Sequence, residues 1–293
     1  MLLNKQTAKK FGVLLLKIFI SGISVYFVLK KIDLEKIAVT FRNINFLLLT
    51  ISLLFMNLSQ FTSTFRLKVL LTYIDISINF WQNLRLYYMG MFYNLFLPGG
   101  IGGDGIKAFI LKKRYGISVK KIVSSLIIDR LSGLTGLVFL GCIGFLVSSH
   151  TFSAKWLIWF SIPLMILVYP AFYLFLRILF KSFHRAFLPL SVLGMAVNLV
   201  QTVSVVFLFL AIGTKSDLTG YLTVFYFATA AMVFPFTIGG IGIREVVFTL
   251  APQFLPIDAE TGLSFCLIFF VMNALSSFTG VFFKTDITEQ TGQ

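Results

Sequence analysis

Several charged residues stand in or beside long apolar stretches of this chain, among them Asp104, Asp129, Arg130, Arg244 and Glu245. A charge in that setting is costly unless it faces a cavity, a counter-ion or a ligand. The planar guanidinium of an arginine suits a phosphate or a carboxylate, which it can grip through two parallel N–H donors. Asp129 and Arg130 are sequence neighbours. Neighbours on a helix point about 100° apart, so the two are expected to face different partners. Two readings of them stand. In one, Arg130 is presented to an anionic group; in the other, both are interfacial charges near the end of a span. Likewise, Asp104 or Glu245 paired with Arg130 or Arg244 would form a central gate. The plainer reading puts each acid near the N-terminus of a short helix, where the dipole favours it.

Glycines surround these charges. LPGGIGGDG at 97–105 carries Asp104, and PFTIGGIG at 235–242 runs into Arg244 and Glu245. After Gly103 the sequence IKAFILKK can start a helix, and after Gly242 so can IREVVFTL. A helix N-terminus offers unpaired N–H groups, and glycine lets an anion approach the backbone, so a lipid phosphate fits. The alternative is that Gly and Pro only let the chain turn. Two pairs of amides, Asn57 with Gln60 and Asn198 with Gln201, each share a helix face. They serve either as packing groups between helices or as polar contacts for a substrate.

Other chemistries find no support. Gly100-Ile-Gly102-Gly103-Asp104-Gly105 matches G-x-G-x-x-G, but an aromatic-rich apolar run precedes it instead of a strand. Cys142 and Cys266 lie in apolar runs, and His150 and His184 match no metal motif. No cofactor, no metal and no nucleic-acid partner is expected.

The elements that position these residues follow from composition. Of the 293 residues 58% are apolar and 12% charged, and 35 are Phe. A soluble chain of this size could not hide that much apolar surface, so an all-α integral membrane protein is predicted. Six full spans fit at about 11–29, 44–62, 122–147, 156–177, 188–212 and 263–283. Two shorter apolar runs, about 81–97 and 221–238, end in the glycine stretches and read as broken or re-entrant segments. Segments 62–80 and 104–121 are expected in water. The net charge is +14, and the basic residues before the first span and in 104–121 put both termini on the cytoplasmic side of the cell membrane. The run 106–121 also suits an anionic inner leaflet.

The chain reads as one polytopic domain over 1–293 that repeats itself. GGIG at 99–102 returns at 239–242, and Asn57-Leu-Ser-Gln60 is echoed by Asn198-Leu-Val-Gln201. Repeat one runs from about 11 to 147 and repeat two from about 156 to 283. Three spans in the first half would leave the second starting on the opposite side, an inverted repeat with a midplane site.

N-x-x-x-P-G-G-x-G-G-D at 94–104, the D-R pair at 129–130 and PFTIGGIGIRE at 235–245 resemble the membrane region of lysylphosphatidylglycerol synthases. The likeness extends to flippase-like, stand-alone proteins lacking the soluble aminoacyl-transfer domain. It implies a role in moving a phospholipid or lipid-linked headgroup between leaflets. Asn94, Pro98, Gly99, Gly100, Gly102, Gly103, Asp104 and Arg130 match the first motif region of that family. Pro235, Gly239, Gly240, Gly242, Arg244 and Glu245 match the second. Phe-Thr-Ile at 236–238 departs from the smaller turn usual there.

A translocator with no chemistry of its own is therefore the leading expectation, and lysyl transfer by this chain alone is not expected. Two alternatives remain: a membrane component of a lipid-modifying enzyme system, and a non-transporting partner of a separate synthase. The first would need an acidic constellation on a loop, and Asp33, Glu35, Asp217, Glu245, Asp258 and Glu260 form no recognisable one. An oligomer is compatible with the sequence.

Overall fold

A computed structural model describes residues 39, 42–96, 102–148, 158–214, 217–233 and 243–283. The expected first span (11–29) lies outside the described residues, as do Pro98, Gly99, Gly100, Pro235, Gly239, Gly240 and Gly242. The described residues form nine α-helices: α1 (Phe46–Thr72), α2 (Phe80–Phe96), α3 (Gly102–Tyr115), α4 (Val119–Val147), α5 (Ile158–Leu179), α6 (Phe187–Ala211), α7 (Leu218–Ala231), α8 (Ile243–Leu250) and α9 (Ala259–Phe278). A tight helix, Lys181–Ala186, leads into α6. Five of these segments are long and apolar enough to cross a membrane: those built on α1, α4, α5, α6 and α9. The chain is an all-α integral membrane protein.

The helix starts are set by local chemistry. Asn45 accepts hydrogen bonds from the N–H groups of Leu47 and Leu48 and so caps α1. Asp217 does the same for α7 through Gly220, and Asp258 for α9 through Thr261. Two acids that the enzyme alternative needed on a loop are thus helix caps. One boundary differs from expectation. The segment 62–80 was expected in water, but α1 continues to Thr72. No Gly or Pro interrupts the sequence between Phe46 and Met89. A buried stripe of Ser59, Ser63, Arg66 and Leu70 carries the helix on past the apolar run.

Two helices make the spine. Antiparallel α1 and α6 lie against one another, and Ser52 and Ser204 each donate a hydroxyl hydrogen bond to the other's backbone carbonyl at 2.7 Å. One end of the pair is tied by the Asn45 N–H, which donates to the Ala211 carbonyl. Phe55 and Phe207 stack across the same seam at 5.9 Å. The starts of α1 and α6, of α2 and α7, of α3 and α8, and of α4 and α9 are each separated by about 140 residues. The contacts follow the same relation: α4 packs on α7 as α9 packs on α2.

Packing elsewhere is close where small residues allow it. Gly194 of α6 sits where an added Cβ would lie 2.5 Å from the Ser132 carbonyl oxygen of α4. On α9, Phe265 stacks on Phe209 of α6 at 4.3 Å, and Phe269 meets Phe225 of α7 at 5.7 Å. By contrast α5 turns Trp159, Ile166 and Leu167 outward, as a lipid-facing helix should.

Gly194→Ala should therefore lower stability by about 1–3 kcal/mol through overpacking. Gly105, whose built Cβ has no neighbour within 4 Å among the described residues, should accept alanine without loss. Thermal unfolding of the two variants in detergent compares them directly.

Candidate functional site

α4 delivers the two central charges to opposite neighbours. Asp129 turns towards α1, where its Oδ1 accepts from Arg66 Nε at 2.8 Å. Both side chains are only 6% exposed. Arg130 turns towards α3, where its Nε donates to Asp104 Oδ2. The other oxygen of Asp104 lies 3.4 Å from Lys107 Nζ, one turn further along α3. Lys107 in turn sits 4.1 Å above the ring of Tyr87. One carboxylate is thus held between two cations, and the other is committed to a third.

Lys107 can lie there because α2 and α3 form a tight antiparallel hairpin. A Cβ on Gly103 would overlap the Gly90 carbonyl, so glycine is required at this crossing. Asn94 Oδ1 accepts from the Gly103 N–H at 2.7 Å and so caps the start of α3. That donor was expected to be open to an anion; Asn94 already occupies it. Asp104 follows in the first turn, where the helix dipole favours an acid.

α8 supplies the fourth cation. Arg244 is 7% exposed and its guanidinium carbon lies 4.5 Å over the ring of Phe269. Its Nη2 donates to Met232 Sδ at 3.2 Å, and its buried Nε has no acceptor among the described residues. A thioether and a ring face are weak partners for a buried guanidinium. Nη1 of Arg66 is likewise buried with no acceptor among the described residues, while Tyr87 and Asp129 interact with the same guanidinium.

These groups line one cavity of about 340 Å³, walled by α1, α2, α3, α4, α8 and α9. Four cations (Arg66, Lys107, Arg130, Arg244) face three carboxylates (Asp104, Asp129, Glu245) in it. The balance is one positive charge. Gln60, Asn94, Asn273 and Ser277 add polar groups to the wall. The volume suits a small polar headgroup.

Of the residues singled out from sequence, Gln60, Asn94, Asp104, Asp129, Arg130, Arg244 and Glu245 meet here. Others do not. Asn57 donates to the Leu53 carbonyl and to Ser276, and accepts from Tyr88. Asn198 donates to the Gly133 carbonyl. Both amides are spent on helix packing, and Gln201 is half-buried outside the cavity wall. Gly102 and Gly103 open α3 without lining the cavity.

Sequence reasoning missed Arg66 and Lys107 by placing both in watery segments; both are buried. The signals were present: an unbroken helical stripe through Arg66, and the i, i+3 spacing of Lys107 from Asp104. Lys112, Lys113, Arg114, Lys120 and Lys121 are exposed, as the aqueous reading of 104–121 requires.

Fold and cavity define a class: a polytopic helical membrane protein with a charged chamber at its centre. The sequence profile described as lysylphosphatidylglycerol synthase TM region matches residues 14–277, and the chain belongs to that family. A membrane-lipid role follows. No curated protein matches the chain.

Removing one partner of a buried ion pair leaves the other charge uncompensated. Asp129→Ala should destabilise by about 3–5 kcal/mol, whereas Arg66→Met with Asp129→Leu should come close to wild type. Chemical denaturation in detergent micelles would separate the two outcomes.

Proposed function

We propose that this protein binds an anionic lipid headgroup, a phosphate ester by its chemistry, in the central cavity and passes it between leaflets. The observation that carries the reading is the donor capacity of Arg244, and of Arg66 Nη1, left unmet among the described residues, in a chamber whose described lining has one excess positive charge. Burying guanidinium N–H groups without acceptors is costly, and an anionic ligand would remove that cost. The acyl chains remain in the apolar surroundings while only the headgroup crosses the low-dielectric interior.

In this reading the two halves, about 11–147 and 156–283, form an inverted repeat. The α2–α3 and α7–α8 segments act as re-entrant hairpins opening to opposite sides. The antiparallel α1–α6 spine and the matched packing of α4 on α7 and α9 on α2 support it. Alternating access then comes from one half rocking against the other. Asp104 with Arg130 is the gate on the first half. Movement is downhill, ion-coupled or drawn by a separate lipid-modifying enzyme acting on the released lipid.

Native mass spectrometry after gentle extraction tests the cargo. An anionic lipid class should be enriched on wild type and fall about tenfold or more on Arg130→Ala and Arg244→Gln. In vesicles carrying a fluorescent member of that class, Asp104→Arg and Arg130→Asp should each stop translocation and the double swap restore it. Bulk lipid on all proteins, with no rescue, would sink the reading.

Both termini and the basic 112–121 segment face the cytoplasm in this arrangement of the cell membrane. Lys113→Cys should react with an impermeant thiol reagent only from the inner side. Cys142 and Cys266 are buried and should contribute little background.

A further inference from the structure

A second cavity, about 300 Å³, lies between α3 and α4 and is lined mostly by apolar side chains. Its buried floor is Ala108 of α3 and Leu126 of α4. Its rim is Val123 and Ile127, which are 39% and 43% exposed on the outer face of α4. Among the described residues two charged ones touch it, Asp104 and Arg130, and these same two also line the polar chamber. The partition between the two spaces is therefore the Asp104–Arg130 ion pair itself. On one side is a chamber of charges; on the other is an apolar groove whose rim side chains are exposed on α4.

A charged chamber and an apolar groove that share a wall suit one kind of ligand, an amphiphile. A free phosphate would have no use for the groove, and a hydrocarbon would have no use for the chamber. We infer that the α3–α4 groove holds one acyl chain of the lipid whose headgroup occupies the chamber. The inference rests on the proposed headgroup reading and extends it to the hydrocarbon part of the substrate. It also gives the ion pair a second duty. A lipid entering from the bilayer passes its headgroup across Asp104 and Arg130 while its chain slides along Val123 and Ile127. The groove thus becomes the lateral entrance from one leaflet.

Gly105 supplies the test. It lines the groove, and a Cβ built on it meets no described heavy atom within 4 Å. It lies inside α3, where replacing glycine favours the helix. Gly105→Phe should therefore fold normally and fill the groove. Leu164, Ile166 and Leu174 on the outward face of α5 report ordinary annular lipid.

The experiment uses the full chain in phosphatidylcholine nanodiscs with a small fraction of phosphatidylglycerol bearing a mid-chain diazirine. After irradiation, the labelled peptides are mapped. The expected result is labelling of the 123–127 and 105–109 stretches, competed by unlabelled phosphatidylglycerol but not by phosphatidylcholine. Gly105→Phe should reduce it about tenfold, a factor that losing the burial of two methylenes already supplies. Labelling of α5 should be unchanged and uncompeted. Groove labelling that matches α5, or that survives Gly105→Phe, would overturn the inference. Native mass spectrometry of the same variant keeps the two readings apart. If the groove alone is wrong, anionic-lipid enrichment persists in Gly105→Phe and is lost in Arg244→Gln. If the headgroup reading is wrong, phosphatidylcholine competes equally and Arg244→Gln labels like wild type, which overturns both.

Discussion

Asp129 and Arg130 occupy successive positions on α4, and the geometry of a helix makes them look in different directions. Asp129 reaches α1 and binds Arg66; Arg130 reaches α3 and binds Asp104. The centre of the molecule hangs on this division. The first pair is sealed from solvent, and its geometry holds α4 against the spine helix. The second is more open, with Arg130 28% exposed, and it borders both cavities. The first is therefore the more tightly enclosed of the two pairs. A buried pair is broken only at high cost, whereas a half-exposed one has alternative partners at hand.

The two charges that follow the glycine stretches are partnered differently. Asp104 and Arg244 stand 140 residues apart, at matching places after the glycine stretches, and carry opposite signs. Asp104 is held by Arg130 and Lys107. Arg244 rests on Phe269 and Met232. A strict repeat would give both halves the same partner set and the same affinity for an anion. Here Asp104 is held by two cations, and Arg244 has a guanidinium N–H with no acceptor among the described residues.

Much of the fold was legible because the membrane imposes one rule on every span: about twenty apolar residues with backbone hydrogen bonds made within the segment. The helices over 119–147, 158–179, 187–211 and 259–278 lie close to where the apolar runs put them. The rule failed at Arg66. Hydropathy ends a span at the first polar cluster, but α1 continues because Asp129 waits on a neighbouring helix to receive the charge. The same holds for Lys107, whose surroundings are Asp104, Tyr87 and the flat back of Gly90. A linear pattern registers a basic residue as solvated; it carries no information about a carboxylate 63 residues away.

The glycines show the converse. Their motif marked the right region, yet Gly103 is there for the approach of α2, and its N–H is taken by Asn94. Likewise Asn57 and Asn198, 141 residues apart in sequence, are occupied by helix packing. By itself the sequence determined the solvent, the helical class, the position of most spans, the family and the short set of charges that needed an explanation. Those follow from composition and local spacing, which are properties of the chain. Which cation met which carboxylate, which amides were already satisfied, and that one ion pair divides a polar chamber from an apolar groove were decided only by tertiary structure. Pairing in a low-dielectric interior depends on distances between helices, and those exist only once the helices have packed.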